Sequence, residues 1–373
     1  MKILLLNRLY SPHFGGIENS MKYMAKEFKK QGHEPVILVK QSSKDLLLQE
    51  QIDNIEVYRY PCPLQKLLLP LYPLIEILYA KKYLKTFLKE QKPDLIISRN
   101  PNLGYATLKV INNIKFIYMP ARATPEFYYE MIKRKLHKKI MINLLYKIFI
   151  IPQYSFIEKK LIIKSDLIVT FSKNVKDELI SYYKIKAHKK FKIIPPGVDF
   201  GKFNINKTKK DEQIKNLNLH EKDKVVLYVG RLTSEKNVDL LIRSIAKIKD
   251  KDIKLLVVGE GNEKENLLKL AKKLGIEDKT VFIGKRGDTE NFYAIADLFV
   301  LPTFKEGFGQ VYLEAMALGV PCIGFKSRPP KIMTATDEVL IDGKTGFIIE
   351  NPTINDLSKT IIKYFNLNKK ERK

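Results

Sequence analysis

The sequence predicts two α/β domains, each built on a parallel β-sheet with helices on both faces. The chain has 373 residues, which is too long for one ordinary core and suits two domains of similar size. Short apolar runs of strand type alternate with amphipathic helical stretches, an order typical of doubly wound parallel sheets. The polar, charged stretch from Asp199 to Lys224 reads as the link, so the predicted domains are residues 1–198 and 199–373.

Nine apolar runs supply the predicted strands in chain order. In the first domain they are KILLL, PVILV, DLIIS, FIYM and DLIVTF, and in the second they are VVLYV, KLLVVG, TVFIG and DLFVLP. In doubly wound sheets, ligands bind beyond the carboxyl ends of the strands. Candidate site residues are therefore expected in the loop that follows each run.

Positive charge is concentrated in the first domain. The chain carries 67 Lys and Arg against 41 Asp and Glu, a net charge of +26, and residues 1–198 hold 35 basic and 16 acidic side chains. This excess predicts that the first domain approaches an anionic partner, which could be nucleic acid, a lipid surface or a phosphorylated substrate.

Cysteine content and hydropathy bear on the compartment. Cys62 and Cys322 are too few for a disulfide framework, which fits a reducing compartment. The N-terminus has only four consecutive apolar residues, too few for a signal peptide. The longest uncharged apolar run, Leu67 to Ile75, is far shorter than the ~20 residues that span a bilayer. The sequence therefore predicts a cytoplasmic protein that at most lies on a membrane.

One segment of the first domain has the pattern of a membrane-surface helix. Between Ile132 and Ile148, bulky apolar residues recur at helical spacing, and a basic face lies opposite. A basic helix with an apolar face can lie in the headgroup layer, and a core helix with a solvated basic face is the alternative. The charge of the domain favours the membrane. The basic residues are Arg134, Lys135, Lys138 and Lys139.

The first loop of the second domain carries two cations. Arg231 and Lys236 follow the run VVLYV, where paired cations can neutralise a diphosphate. They can equally be ordinary surface charges, and position alone leaves both interpretations open.

After the next run, Gly259 and Gly261 resemble a dinucleotide-binding turn only weakly, because Lys264 occupies the third glycine position. A tight turn that lets a helix pack is the favoured interpretation.

Nothing in the sequence predicts a metal site. Asp250 and Asp252 could hold a divalent ion, but they precede a strand and so lie at the wrong end of the sheet. A solvated loop is the favoured interpretation. No His and Cys spacing resembles a zinc site either. We predict no metal and no cofactor.

The stretch EGFGQVYLE places two glutamates around a glycine-rich turn after the run DLFVLP. A helix is predicted from about Phe308 to Leu318, and the free N–H groups of its first turn favour an anion such as phosphate. Gly307 and Gly309 permit close approach of a ligand. Glu306 in the loop and Glu314 in the helix can then bind different parts of one polar ligand. Dipole effects alone explain one glutamate, not this pair.

The first loop of the first domain contains another glycine pair. Gly15 and Gly16 follow the run KILLL and are predicted to open a helix, where backbone N–H groups can bind phosphate or a sugar. A flexible turn is the alternative. His13 and His33 are each more often structural or exposed than catalytic.

These motifs together resemble glycosyltransferase family 4, retaining enzymes of the GT-B fold that include bacterial glycosyltransferases of surface polysaccharides and glycolipids. The resemblance runs nearly end to end. It rests on FGGIE, GHEPVILV, DLIVTFS, IIPPGVDFGKF, GRLTSEKN, FIG, ADLFVLPT, EGFGQVYLEAMALGVPCIG and DGKTGFIIE. It implies two Rossmann-like domains facing each other across a cleft, with an acceptor-binding domain at 1–198 and a nucleotide-sugar-binding domain at 199–373.

The resemblance also implies a metal-independent hexosyl transfer from a UDP- or GDP-linked sugar. Arg231 and Lys236 would hold the diphosphate, and Glu306 the sugar hydroxyls; these three are the catalytic candidates. Gly15, Gly16, Gly307, Phe308 and Gly309 would line the donor, and Glu314 would bind the ribose. On the acceptor side the candidates are His13 and, because MPARATPEF lacks the histidine of many members, Arg122 and Glu126. Asn237 stands where members usually have glycine.

The predicted function is transfer of one sugar to a lipid-linked or membrane-held glycan during surface polysaccharide or lipopolysaccharide assembly, at the inner face of the membrane. One alternative is a GT-B nucleotide-sugar epimerase or a sugar phosphorylase. Another is a basic, non-enzymatic nucleic-acid-binding protein, but the chain lacks a basic recognition helix or an aromatic RNA-binding motif, so no nucleic-acid partner is predicted.

Overall fold

The chain folds into two compact units. The computed structural model describes residues 1–13, 15–63, 71–126, 128, 140–186, 188–203, 207–220 and 222–368. The first unit is Met1–Pro195 and the second is Pro196–Lys373. The predicted division lay at residues 198 and 199.

The first unit is built on an eight-stranded sheet. Its order is β3-β4-β2-β1-β5-β6-β7-β8, and all neighbours are parallel except β3, which runs antiparallel to β4. From β1 the strand order proceeds through β2 in one direction and through β5 in the other, so a switch point lies between β1 and β5. The strands are β1 (Lys2–Leu6), β2 (Glu34–Lys40), β3 (Gln49–Ile52), β4 (Ile55–Tyr60), β5 (Leu95–Ser98), β6 (Lys115–Tyr118), β7 (Leu167–Thr170) and β8 (Phe191–Ile193).

Helices cover both faces of this sheet, because alternate strand residues point to opposite sides and both sets are apolar. One core contains Leu4, and the other contains Ile3 and Leu5 of the same strand. A π-helical turn, Tyr146–Ile150, joins the fourth and fifth helices. The helices are α1 (Gly16–Lys30), α2 (Tyr72–Gln91), α3 (Pro101–Leu108), α4 (Ile140–Leu145), α5 (Ile151–Lys164) and α6 (Lys173–Tyr183).

The second unit is built on a six-stranded, fully parallel sheet of order β11-β10-β9-β12-β13-β14. Its switch point lies between β9 and β12, which pair directly. The strands are β9 (Lys224–Val229), β10 (Ile253–Val258), β11 (Thr280–Gly284), β12 (Leu298–Leu301), β13 (Cys322–Phe325) and β14 (Gly346–Ile349). The predicted doubly wound parallel sheets are thus confirmed, and each of the nine apolar runs forms a strand.

One apolar core unites the strands and helices of the second unit. Its strands are rich in buried Val, Leu and Ile, as expected for a sheet covered on both faces. The helices are α7 (Lys207–Asn216), α8 (Val238–Ala246), α9 (Lys264–Lys273), α10 (Glu290–Tyr293), α11 (Gln310–Ala317), α12 (Thr336–Val339) and α13 (Ile354–Asn366).

The interpretation of residues 199–224 as a link is wrong. This stretch belongs to the second unit, where it contains α7. Phe203 is buried in the second core, and Ile214 and Leu217 pack against that core. The few apolar residues of the stretch are therefore enough to fix it to the domain.

The N-terminal half of the predicted membrane-surface helix, residues 132–139, lies outside the described residues. Its C-terminal part falls in α4 and the π-helical turn, and its basic residues at 134–139 are not described. The apolar run from Leu67 is likewise described only from Leu71. Among the described helices, none is long and apolar enough to cross a membrane.

Candidate active site

The candidate site of the second unit lies at the switch point of its sheet. The loop after β9 carries Arg231 and Lys236, and the loop after the neighbouring β12 carries Glu306. At a switch point the two loops diverge to opposite faces of the sheet and leave a crevice. The topology therefore brings together side chains that are 70 positions apart in the sequence.

Lys236 and Glu306 form an ion pair. Their Nζ and Oε2 atoms lie 2.6 Å apart, and both side chains are largely shielded from solvent. Arg231 is different, because its side chain is 64% exposed and its guanidinium lies 3.3 Å from the Glu235 carboxylate. The structure therefore brings two of the three catalytic candidates into contact. Arg231, on the same loop as Lys236, is exposed to solvent.

The loop after β9 is fixed by hydrogen bonds to the end of β12. Asn237 follows a 3₁₀ turn and has a left-handed backbone with φ 48° and ψ 40°. This conformation favours glycine, and asparagine tolerates it better than most other residues. Its Nδ2 donates to the Pro302 carbonyl at 3.2 Å, and Thr303 Oγ1 donates to the Glu235 carbonyl at 3.1 Å.

A second glycine pair supports the same loop from the β10 side. A Cβ on Gly259 would lie 1.8 Å from the Gly230 carbonyl oxygen, and one on Gly261 would lie 2.1 Å from the Leu232 carbonyl oxygen. The Leu232 N–H donates to the Glu260 carbonyl at 2.9 Å. The glycines thus allow two backbones to touch, and the tight turn that we favoured also holds the Arg231 loop.

The helix after Glu306 presents an uncapped N-terminus. Gly309 occupies the N-cap position with φ 84°, and a Cβ there would lie 2.8 Å from the Tyr312 ring. The helix α11 begins at Gln310, two residues later than predicted, because this left-handed residue cannot belong to it. Glycine brings no side chain to cap the first N–H groups, and the first turn has no acidic residue. These N–H groups and the helix dipole favour an anion.

The backbone that carries Glu306 is held by the loop before α12. The Glu306 N–H donates to the Met333 carbonyl at 2.9 Å, and Met333 N–H donates to the Phe304 carbonyl at 2.8 Å. The buried Lys305 donates from Nζ to the Pro330 carbonyl at 2.9 Å. The glutamate therefore projects from a fixed loop rather than a free one.

Glu314 lies in the second turn of α11 and is only 8% exposed. Tyr293 of α10 donates its hydroxyl to Glu314 Oε2 at 3.1 Å. Burial raises the pKa of Glu314, while the Tyr293 hydrogen bond and the charge of Lys202 act in the opposite direction. Lys202 itself lies 2.9 Å from the Glu290 carboxylate. No sequence pattern pointed to Tyr293 or Lys202, because only the fold brings them near Glu314.

The aspartates that we excluded as metal ligands contact lysines. Asp250 Oδ2 lies 2.7 Å from Lys224 Nζ, and its other oxygen accepts the Asp252 N–H at 3.0 Å. Both aspartates precede β10, at the amino end of the sheet. Across the described ranges, no group of three or more His, Cys, Asp or Glu is placed to hold a metal ion.

The first-unit candidates lie on two segments, one after β1 and one after β6. Gly15 is the N-cap of α1, which begins at Gly16 as predicted. His13 Nε2 lies 2.7 Å from Ser42 Oγ, in the loop after β2. Arg122 lies 3.5 Å from the Glu178 carboxylate of α6, and Glu126 is partly exposed. His13 and Arg122 therefore have structural partners of their own.

Comparisons with known proteins agree with this organisation. Residues 14–202 match the family model described as Glycosyltransferase Family 4, and residues 209–373 match the one described as Glycosyl transferases group 1. N-acetyl-alpha-D-glucosaminyl L-malate synthase of Bacillus anthracis is 38% identical over 137 residues, which are 36% of this chain and 34% of that protein. The match thus spans about a third of that relative's length.

Two longer matches cover most of the chain. Alpha-monoglucosyldiacylglycerol synthase of Streptococcus pneumoniae is 25% identical over 334 residues, which are 87% of this chain and 70% of that protein. The crystal structure of Anabaena Alr3699/HepE in complex with UDP superposes with a TM-score of 0.77 at 20% identity, and covers 100% of this chain and 92% of that one. On these matches and on its two doubly wound units, the chain has the GT-B fold and belongs to glycosyltransferase family 4.

Proposed function

We propose that the chain is a retaining glycosyltransferase that moves a hexose from a UDP- or GDP-linked donor to a lipid-linked or membrane-held glycan, in the assembly of a surface polysaccharide or lipopolysaccharide. One observation carries the donor side of this proposal. At the switch point of the second sheet, the Lys236–Glu306 ion pair lies on the two loops that flank the crevice, and Glu306 precedes the uncapped N-terminus of α11. A cation, a carboxylate and a helix N-terminus without a side-chain cap match the diphosphate and sugar of a nucleotide sugar.

The chemistry follows from where negative charge develops. As the bond from the anomeric carbon to the diphosphate breaks, charge grows on the diphosphate oxygens, and Arg231, Lys236 and the N–H groups at Phe308 and Gly309 stabilise it. Glu306 binds the sugar hydroxyls and Glu314 the ribose hydroxyls. The departing diphosphate accepts the proton of the acceptor hydroxyl, so no pair of catalytic carboxylates and no metal ion is needed.

The acceptor side of the proposal rests on the first unit. Its net charge favours anionic partners, and its described helices expose bulky apolar side chains among lysines such as Lys147, Lys159, Lys160 and Lys164. Such a surface fits peripheral association with the inner face of a membrane. The pneumococcal relative is named as the synthase of alpha-monoglucosyldiacylglycerol. The exposed apolar residues are Leu74, Leu78, Leu144, Ile148, Phe149, Phe156 and Ile163.

A panel of UDP-, GDP- and CMP-sugars in thermal unfolding, followed by transfer assays in EDTA, tests the function. One nucleotide class should stabilise the protein by about 2.7 kcal/mol at 100 times Kd. Transfer should then proceed in EDTA and give a product whose anomeric configuration by NMR equals that of the donor. The Arg231→Ala, Lys236→Ala double variant should lose the stabilisation, and Lys249→Ala, an exposed lysine of the same unit, should keep it.

Three outcomes would contradict the proposal. Loss of transfer in EDTA would exclude the metal-free route, and an inverted product would exclude retention. Epimerisation or phosphorolysis without transfer to an acceptor would favour the other GT-B activities. Binding of nucleic acid with a steep salt dependence and no response to any nucleotide sugar would favour the non-enzymatic alternative.

A further inference from the structure

The first unit has a cluster of buried charged residues of its own, at the carboxyl edge of its sheet. Arg8 follows β1, and Lys40 ends the adjacent β2. Glu76, on the second turn of α2, lies within electrostatic reach of both cations. We name Arg8, Lys40, Tyr72 and Glu76 the Arg8–Lys40 cluster. None of these residues belongs to the donor site or to the acceptor-side candidates.

The cluster holds more positive than negative charge. Glu76 is fully buried and accepts hydrogen bonds from Asn102 Nδ2 at 2.7 Å and from the Tyr60 hydroxyl at 3.2 Å. The Lys40 N–H donates to the Arg8 carbonyl at 3.2 Å, so the two cations follow adjacent backbones, and Glu76 acts electrostatically on both. Arg8 also lies within electrostatic reach of the phenols of Tyr128 and Tyr154.

Lys40 is buried in this cluster, and its pKa is lowered. Its side chain is 6% exposed, and its ammonium donates to the Tyr72 hydroxyl and lies 4.8 Å from the centre of the Tyr72 ring. Burial lowers the pKa of Lys40 and the charge of Arg8 lowers it further, while Glu76 acts in the opposite direction. A buried ammonium whose hydrogen-bonding partner is a neutral phenol gains when an anion arrives.

A helix N-terminus adds to the positive potential. Tyr72 is the first residue of α2, a helix of 20 residues. Leu71 at the N-cap has no polar side chain, and no residue of the first turn is acidic. The positive end of the helix dipole therefore lies at the residue whose hydroxyl contacts Lys40. Arg8 is the partly exposed member of the cluster, and the other three residues are buried.

We propose that the Arg8–Lys40 cluster binds an oxyanion, a phosphate or a carboxylate, that the acceptor carries. The guanidinium of Arg8 offers paired donors to the anion. Lys40 turns from the Tyr72 hydroxyl to the anion, and that hydroxyl, which no longer accepts from Lys40, donates to the anion as well. The acceptor is then phosphorylated or acidic rather than a neutral glycan. That this ligand is the acceptor rests on the proposed function; that an oxyanion binds at the cluster does not.

Pyrophosphate binding by calorimetry tests the cluster on the full chain. Arg231→Ala and Lys236→Ala form the background, because they remove the diphosphate ligands of the donor site. On that background pyrophosphate should still bind, and Lys40→Met and Arg8→Gln should each weaken it at least tenfold, as loss of a hydrogen bond to a charged group implies. Lys82→Met, an exposed lysine on α2, is the matched control and should leave the affinity unchanged.

Glu76→Gln supplies a test with the opposite sign. It removes the negative charge and keeps one oxygen, which accepts from Asn102, while the Tyr60 hydroxyl, bonded to the other carboxylate oxygen in the parent, can accept from the new amide NH2. Pyrophosphate should therefore bind more tightly. Equal loss in Lys40→Met and Lys82→Met, or weaker binding in Glu76→Gln, overturns the proposal. Absence of sugar transfer would instead contradict the proposed function. In an active enzyme, Lys40→Met should raise the acceptor KM and spare the donor KM.

Discussion

The two glutamates of EGFGQVYLE are only eight positions apart, yet they occupy different electrostatic environments. Glu306 is partly exposed and paired with Lys236, whereas Glu314 is buried and bonded to the neutral hydroxyl of Tyr293. The first can exchange its partner for a ligand in a loop that faces solvent. The second is a fixed acceptor on a helix. This difference supports the division of the donor between them.

Glutamine variants of these two residues should therefore differ in what they lose. Glu314→Gln should weaken both the free nucleoside diphosphate and the nucleotide sugar by about ten- to a hundredfold, the cost of a hydrogen bond to a charged group. Glu306→Gln should spare nucleoside diphosphate binding and lower kcat more than it raises the donor KM. Calorimetry with the nucleoside diphosphate separates them, and equally poor binding by both would refute the division of roles.

Glu314 also makes a pH-dependent contribution to stability. Its pKa is raised by burial, with Glu290 acting the same way and Tyr293 and Lys202 opposing, so the folded state holds its proton more tightly than the unfolded state. Stability is then lost as pH rises from the ordinary glutamate pKa through the raised one. Glu314→Gln lacks this loss and should unfold at higher urea concentration at neutral pH. A variant less stable than the parent there would contradict the assignment.

At the scale of elements, the site depends on contact between the loops after β9 and β10. Gly259→Ala places a methyl group against the Gly230 carbonyl, and should cost about 1 to 3 kcal/mol by overpacking and weaken the nucleoside diphosphate by shifting Arg231. Gly275→Ala is the control, since Gly275 has φ 64° but open space around it. It should cost about 1 to 2 kcal/mol for the left-handed backbone and leave nucleotide binding intact. Urea unfolding and calorimetry compare the two, and intact binding in Gly259→Ala would contradict the loop's role.

The sequence predicted the central strands better than the others. Runs such as KLLVVG are continuously apolar because both faces of the strand are buried. β4, IEVYRY, alternates with charged residues, and β13 and β14 each contain glycine, so their patterns are weaker. β8 is only three residues long. The helix after Glu306 was predicted, but its start depends on the left-handed Gly309, and the Tyr293 contact with Glu314 depends on tertiary packing.

For the molecule as a whole, the unequal charge of the two units predicts membrane association through the first. The protein should sediment with anionic vesicles at low salt and be released as salt rises, because screening shortens the reach of the lysines. Leu78→Asp and Phe156→Asp, at side chains that are 63% and 56% exposed in the first unit, should reduce binding. Leu268→Asp, exposed in the second unit, is the control. Equal recovery with neutral and anionic vesicles would contradict this prediction.

The domain organisation was largely readable from the sequence, apart from the stretch at 199–224. Its composition is that of a linker, yet Phe203 is buried in the second core and Ile214 and Leu217 pack against that core. Composition measures the average polarity of a segment, whereas attachment depends on a few buried side chains. The same limit applies to Lys202, a surface-type residue by composition that lies close enough to Glu314 to affect its pKa.

The Lys236–Glu306 pair has a consequence for selectivity. In the ion pair, each charge is neutralised by the other. Inorganic phosphate that binds Lys236 would separate the carboxylate of Glu306 from its cation. A free sugar that binds Glu306 would separate the ammonium of Lys236 from its anion. A molecule that brings both a phosphate and hydroxyl groups satisfies the two ends at once. On the proposed function, the ion pair therefore favours a nucleotide sugar, which carries both groups, over a small anion or a free sugar that carries only one.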